Sequence, residues 1–205
     1  MNWNSSNYPL VSYPGITPEI IIPLSGHLEF QYLNKKYYTS KSVLFSFIHG
    51  NVYSFLNSIP SFVIITFKSR ALASLLPFIS INPSSLIQNP VIEANLVFGH
   101  KIDLLQQSLL RKSSIEIGTE IEYWLSNLYR ESQEGFVADL VKDLSDNFTV
   151  KSVMNLTKYS YSTIERKLKG ETGITPKNFL SLKRYKAALI EMIRSQNTDW
   201  MHYVV

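Results

Sequence analysis

The sequence predicts an α+β protein in which an antiparallel β-sandwich or small barrel is followed by a helical connector and then an all-α region. Three observations carry that prediction. Between Glu19 and Lys68 the chain breaks into six short runs rich in β-branched and aromatic residues, separated by turn residues. From Lys101 onward, apolar residues recur at helical rather than alternating spacing. The charge also changes sign along the chain: residues 1–148 carry a net −2, and residues 149–194 carry +7. The boundaries implied are 1–98, 99–146 and 147–205.

Residues 1–15 are polar, with Pro9, Pro14 and Gly15, and show no periodicity, so an arm or first loop is expected there. The strand runs are 19–24, 27–33, 37–39, 42–49, 52–56 and 61–68. Leu28, Phe30 and Tyr32 alternate with His27, Glu29 and Gln31, and Asn34-Lys35-Lys36 offers a tight reversal into Tyr37-Tyr38, a hairpin pattern. Gly50-Asn51 marks the next turn. Ala71 to Leu76 reads as a short helix that Pro77 stops, and a loop with Pro83 and Pro90 follows. Ile102, Leu105 and Leu109, then Ile117, Ile121, Trp124, Leu125 and Leu128, define a helical hairpin over 101–111 and 114–129. Its apolar side, Trp124 above all, faces either a second copy, giving a homodimer, or the sheet of its own chain.

The last third holds three helix starts with physical signatures. Thr149 can cap a short helix carrying Val150, Val153, Met154 and Leu156, with a turn at Lys158-Tyr159. Ser160 can cap the next. In that helix Ile164 and Leu168 form one buried stripe, which leaves Ser162, Glu165, Arg166 and Lys169 on the outer side. Gly173 is placed to close it, and Thr175-Pro176 opens a long helix as cap and first-turn proline. Phe179, Leu182, Ala187, Leu189 and Ile193 give that helix apolar faces.

These residues resemble the DNA-binding unit of the AraC/XylS-type transcription regulators: a recognition helix, a Lys/Arg-x-x-Thr-Gly-x-Ser/Thr-Pro joint and a linker helix. Arg166, Lys169, Glu171-Thr172-Gly173, Thr175-Pro176, Phe179, Leu182, Arg184 and Ala188 all fall on the pattern. The resemblance implies that Ser160, Ser162, Glu165, Arg166, Lys169, Thr175 and Lys177 contact double-stranded DNA. It also implies a cupin-like sensor for the first part, open to a small-molecule effector. Two positions depart from the family: Met154 stands where a small residue is usual, and Lys158 stands where glycine is usual. Family members carry a second helix-turn-helix within about forty further residues after Arg194, so the sequence as given is expected to contain only the opening helix of that unit.

Composition narrows the function classes. A basic segment beside a neutral one points to phosphate contacts, because cationic side chains release counterions condensed on nucleic acid. The chain has no cysteine, which removes thiolate chemistry, and no apolar run approaches the ~18 residues that span a bilayer. A cytoplasmic protein without a membrane anchor or cofactor is expected. The four histidines are scattered without metal-ligand spacing, and no phosphate loop or nucleophile elbow occurs, so no enzymatic activity is expected. Thirteen of the 26 aromatic residues precede Lys68, where they either fill the sandwich or line an effector cavity. The competing class is a protein-interaction module that dimerises without tight DNA binding.

Overall fold

A computed structural model describes residues 10–12, 18–46, 51–55, 61–67, 89, 91–129, 140, 149–172 and 174–196. The expected helix at 71–76, the loop at 83–88, the end of the fourth expected run (47–49) and Gly173 lie outside these residues. Among the described residues, eight strands come first: β1 Leu10–Ser12, β2 Glu19–Ser25, β3 Leu28–Tyr32, β4 Lys35–Thr39, β5 Val43–Phe45, β6 Val52–Phe55, β7 Ser61–Thr66 and β8 Val91–Glu93. Among the same described residues, six helices follow: α1 Asn95–Phe98, α2 His100–Leu109, α3 Ser114–Tyr129, α4 Val150–Thr157, α5 Tyr161–Thr172 and α6 Pro176–Ser195.

The strands form two antiparallel four-stranded sheets, in the orders β1-β6-β3-β4 and β7-β2-β5-β8. Alternation along each strand decides what lies on each face. Leu28, Phe30 and Tyr32 of the first sheet pack against Val43, Phe45 and Val91 of the second, with Ile21 and Tyr37 at the margin. The next residues on the second sheet point the other way. Ile20, Ile22 and Leu44 are fully buried against Val97, Phe98, Ile102, Leu105, Leu109 and Trp124 of the helices. Strands β2 and β5 are therefore buried on both faces, which is why they read as continuous apolar runs while β3, with one solvated face, alternates.

The helical hairpin lies where its periodicity placed it, and α3 matches the expected span residue for residue. Its apolar side is turned to the same chain's sheet. Trp124 is only 8% exposed and meets Phe98 edge-on at 5.4 Å between ring centroids. Gln106 ties α2 to the strands through Nε2, which donates to the carbonyls of Pro23 (2.8 Å) and Ser40 (3.0 Å).

Several expectations are corrected. The opening segment is more than an arm, because Leu10–Ser12 pairs with β6; three residues on a sheet edge are too short for alternation to register. The hairpin reversal falls at Leu33-Asn34, one residue earlier than Asn34-Lys35-Lys36. The pairing of Tyr32 with Lys35 leaves a two-residue loop, and Leu33 takes φ 52° to close it. Strand β8 and helix α1 were not foreseen, being three and four residues long. The sandwich interior is occupied where it is described: Phe30 stacks on Tyr37 at 4.7 Å and packs against Phe45 at 5.1 Å, so these aromatics are core.

Candidate nucleic-acid interface

A separate apolar cluster organises the C-terminal helices. Val153 of α4, Ile164 and Leu168 of α5, Ile174 of the joint, and Phe179 and Leu180 of α6 are buried together with Leu140. Met154, where the resembling family has a small residue, is accommodated half-buried at the edge of this cluster beside Val150 and Leu182. Leu156, the remaining apolar residue of α4, is 51% exposed.

Each of the three caps forms. The Oγ1 of Thr149 accepts from the Ser152 amide at 3.2 Å, Ser160 Oγ from the Thr163 amide at 3.3 Å, and Thr175 Oγ1 from the Asn178 amide at 3.2 Å. Between α4 and α5 the chain reverses at Lys158, which takes φ 58° and ψ 12°, the left-handed region. A side chain there is strained and glycine is not, which accounts physically for the glycine usual at this position in the resembling family. Lys158→Gly is expected to raise the unfolding free energy of the helical unit by about 1 kcal/mol, read from urea denaturation. No gain, or a loss, would mean that the lysine side chain supplies compensating contacts.

The cap geometry fixes the outward face of α5. Ile164 and Leu168 are fully buried, so Ser162, Arg166 and Lys169 emerge exposed on the other side, with Glu165 half-exposed among them. Glu165 is not idle: its carboxylate meets Lys169 Nζ at 2.8 Å, an i,i+4 pair of the kind worth about 0.3–0.5 kcal/mol. Such a pair opens at little cost. Arg166 has no ion-pair partner among the described residues and presents its guanidinium to solvent. Ser160 is exposed, but its hydroxyl is occupied by the cap and by Ser162 and Thr163 at 3.0 Å each. Thr175 is likewise engaged as a cap, and Lys177 is exposed in the first turn of α6.

Sequence reasoning passed over Tyr159, Tyr161 and Lys167. Both tyrosines are partly exposed at the start of α5, and Lys167 Nζ lies 5.4 Å from the Tyr159 ring centre. The available signal was the interleaving of aromatic and basic residues from Lys158 to Lys169. Among the described residues no three His, Asp or Glu side chains gather as a metal site, and no helix is long and apolar enough to cross a membrane.

No family model and no curated protein matches the chain. Solved structures of similar layout are those of ToxT from Vibrio cholerae. An apo lysine-to-alanine variant from strain SCE256 is 14% identical, covering 90% of this chain and 78% of that one at a TM-score of 0.47. The O395 protein is 13% identical, with 90% and 77% coverage and a TM-score of 0.44. A wild-type SCE256 structure with bound unsaturated fatty acid is 14% identical, with 91% and 76% coverage and a TM-score of 0.44. At such identities and scores the functional reading rests on this chain's own residues.

Proposed function

We propose that this protein is a DNA-binding transcription regulator of AraC type, reading promoter DNA with α5. The observation that carries the reading is the α4–α5 pair: two capped helices joined by a left-handed turn and pinned by one apolar cluster. That arrangement holds Ser162, Arg166 and Lys169 outward on a helix narrow enough to enter a major groove. Ser160, Thr175 and Lys177 then serve at the phosphates, with the two hydroxyls secondary because they already cap helices. The basic excess of residues 149–194 supplies the sequence-independent part of the affinity.

Fluorescence anisotropy with promoter fragments at two salt concentrations tests this. Binding is expected to weaken steeply with salt, by about one logarithmic unit per logarithmic unit of salt for each phosphate neutralised. Binding that is absent at low salt would contradict the reading.

A second reading, an interaction module, draws on Leu110 and Ile115 at the tip of the hairpin, 53% and 85% exposed. Within the proposed function these residues dock a second copy and give a cytoplasmic homodimer. Sedimentation velocity that finds only a monomer at micromolar concentration would remove this part and leave the DNA reading standing.

A further inference from the structure

We infer that α5 is held in the DNA groove from both ends: Lys158 pairs with a phosphate ahead of the helix, and Gly170 lets the sugar–phosphate backbone of the opposite strand close against its last turns. The inference rests on the DNA reading of α5 and adds two contacts to it.

Lys158 and Gly170 break local rules in opposite senses. Lys158 stands at φ 58° and ψ 12°, a left-handed position that glycine takes without strain and a side chain does not. Gly170 stands inside α5, where every residue except proline is better tolerated. Neither choice is repaid by packing. Lys158 is exposed, and among the described residues its ammonium makes no ion pair or hydrogen bond. Gly170 is exposed as well, and a Cβ added there would meet no atom within 4 Å, so no described neighbour demands its small size. Stability given up twice on one surface without internal gain points to a partner, because strain and broken propensity gather at functional sites.

Their placement says what each does. Lys158 lies two residues before the cap Ser160, at the N-terminal end of α5. Gly170 follows Arg166 by four residues and so shares its outward face. From Tyr161 to Gly170 the helix rises about 14 Å at 1.5 Å per residue, close to the ~12 Å width of the major groove. A helix set obliquely in that groove brings its two ends to the two walls, each lined by phosphates. Lys158 then meets one wall as a point charge. At the other, a side chain on residue 170 would lie over the turn before it, between α5 and the wall. Glycine leaves that space to the DNA.

The test measures stability and DNA affinity on the same variants of the full chain, by urea denaturation and by anisotropy with promoter and random DNA across a salt series. Lys158→Asn keeps a residue that tolerates the left-handed region but removes the charge. It is expected to raise the urea midpoint, to weaken binding about tenfold on both DNAs, and to lower the salt slope by about one. Lys158→Arg is expected to retain the slope. Gly170→Ala is expected to raise the urea midpoint, because alanine is the better helix former, yet to weaken binding about fivefold with the slope unchanged. Gly170→Leu is expected to weaken it further. A purely structural role would move stability and affinity together, so their opposite signs are the signature. If the parent binds DNA and these variants bind as tightly, the inference falls and the DNA reading stands. A parent that binds no DNA at low salt removes the reading and the inference with it. A lower urea midpoint for Gly170→Ala also overturns the inference, since the fold itself would then require the glycine.

Discussion

Trp124→Ala is expected to destabilise the β-sandwich and its helices by about 3–5 kcal/mol, the range for removing a buried aromatic side chain. The indole meets Phe98 edge-on within the buried cluster that also holds Ile20, Ile22 and Leu44. Trp124→Phe separates packing from polarity. Among the described residues the buried indole Nε1 has no hydrogen-bond partner, so phenylalanine removes an unsatisfied donor while keeping most of the volume. Its expected cost is below about 1.5 kcal/mol. Urea denaturation followed by circular dichroism measures both. An alanine variant as stable as the parent but altered in sedimentation would return Trp124 to the role of an interface residue.

Phe179→Ala is expected to cost the helical unit about 3–5 kcal/mol and to abolish DNA binding with it. Phe179 is fully buried, at the centre of a cluster that among the described residues holds seven buried side chains. The same helix supplies the contrast. Ile193, also on an apolar stripe in the sequence, is 67% exposed, and Ile193→Ala is expected to stay within about 0.5 kcal/mol. Loss of helical signal on denaturation at low urea by the Phe179 variant, but not by the Ile193 variant, is the expected pattern. Equal effects would mean that α6 is anchored along its length.

The contrast between Phe179 and Ile193 shows what the sequence conveys and where it stops. Caps are local chemistry, so Thr149, Ser160 and Thr175 could be named from hydroxyl and spacing alone, and the stripe of Ile164 and Leu168 set the exposed face of α5. Periodicity also located the hairpin of α2 and α3. It could not say which neighbour that hairpin covers, since an interface and a core draw on the same apolar residues. Ile190 and Ile193 look as apolar as Phe179, and only tertiary packing distinguishes them. Strands β1 and β8 and helix α1 are fixed by what they pair with or lie upon, and their three or four residues carry too little pattern to be seen beforehand. The i,i+4 spacing of Glu165 and Lys169 also carries an ion pair, which competes with contacts of either residue to DNA.

The account turns on whether α5 reads bases, and Arg166 is the residue that decides it. Its exposed guanidinium, four positions from Ser162 on the outward face, is planar and can meet O6 and N7 of guanine together. The most direct measurement is the affinity of the parent chain and of Arg166→Ala for a promoter fragment and for random DNA of equal length at one fixed salt concentration. The variant is expected to lose about 1–3 kcal/mol on the specific site and much less on random DNA. An equal loss on both would place Arg166 on the phosphate backbone and contradict base reading by α5.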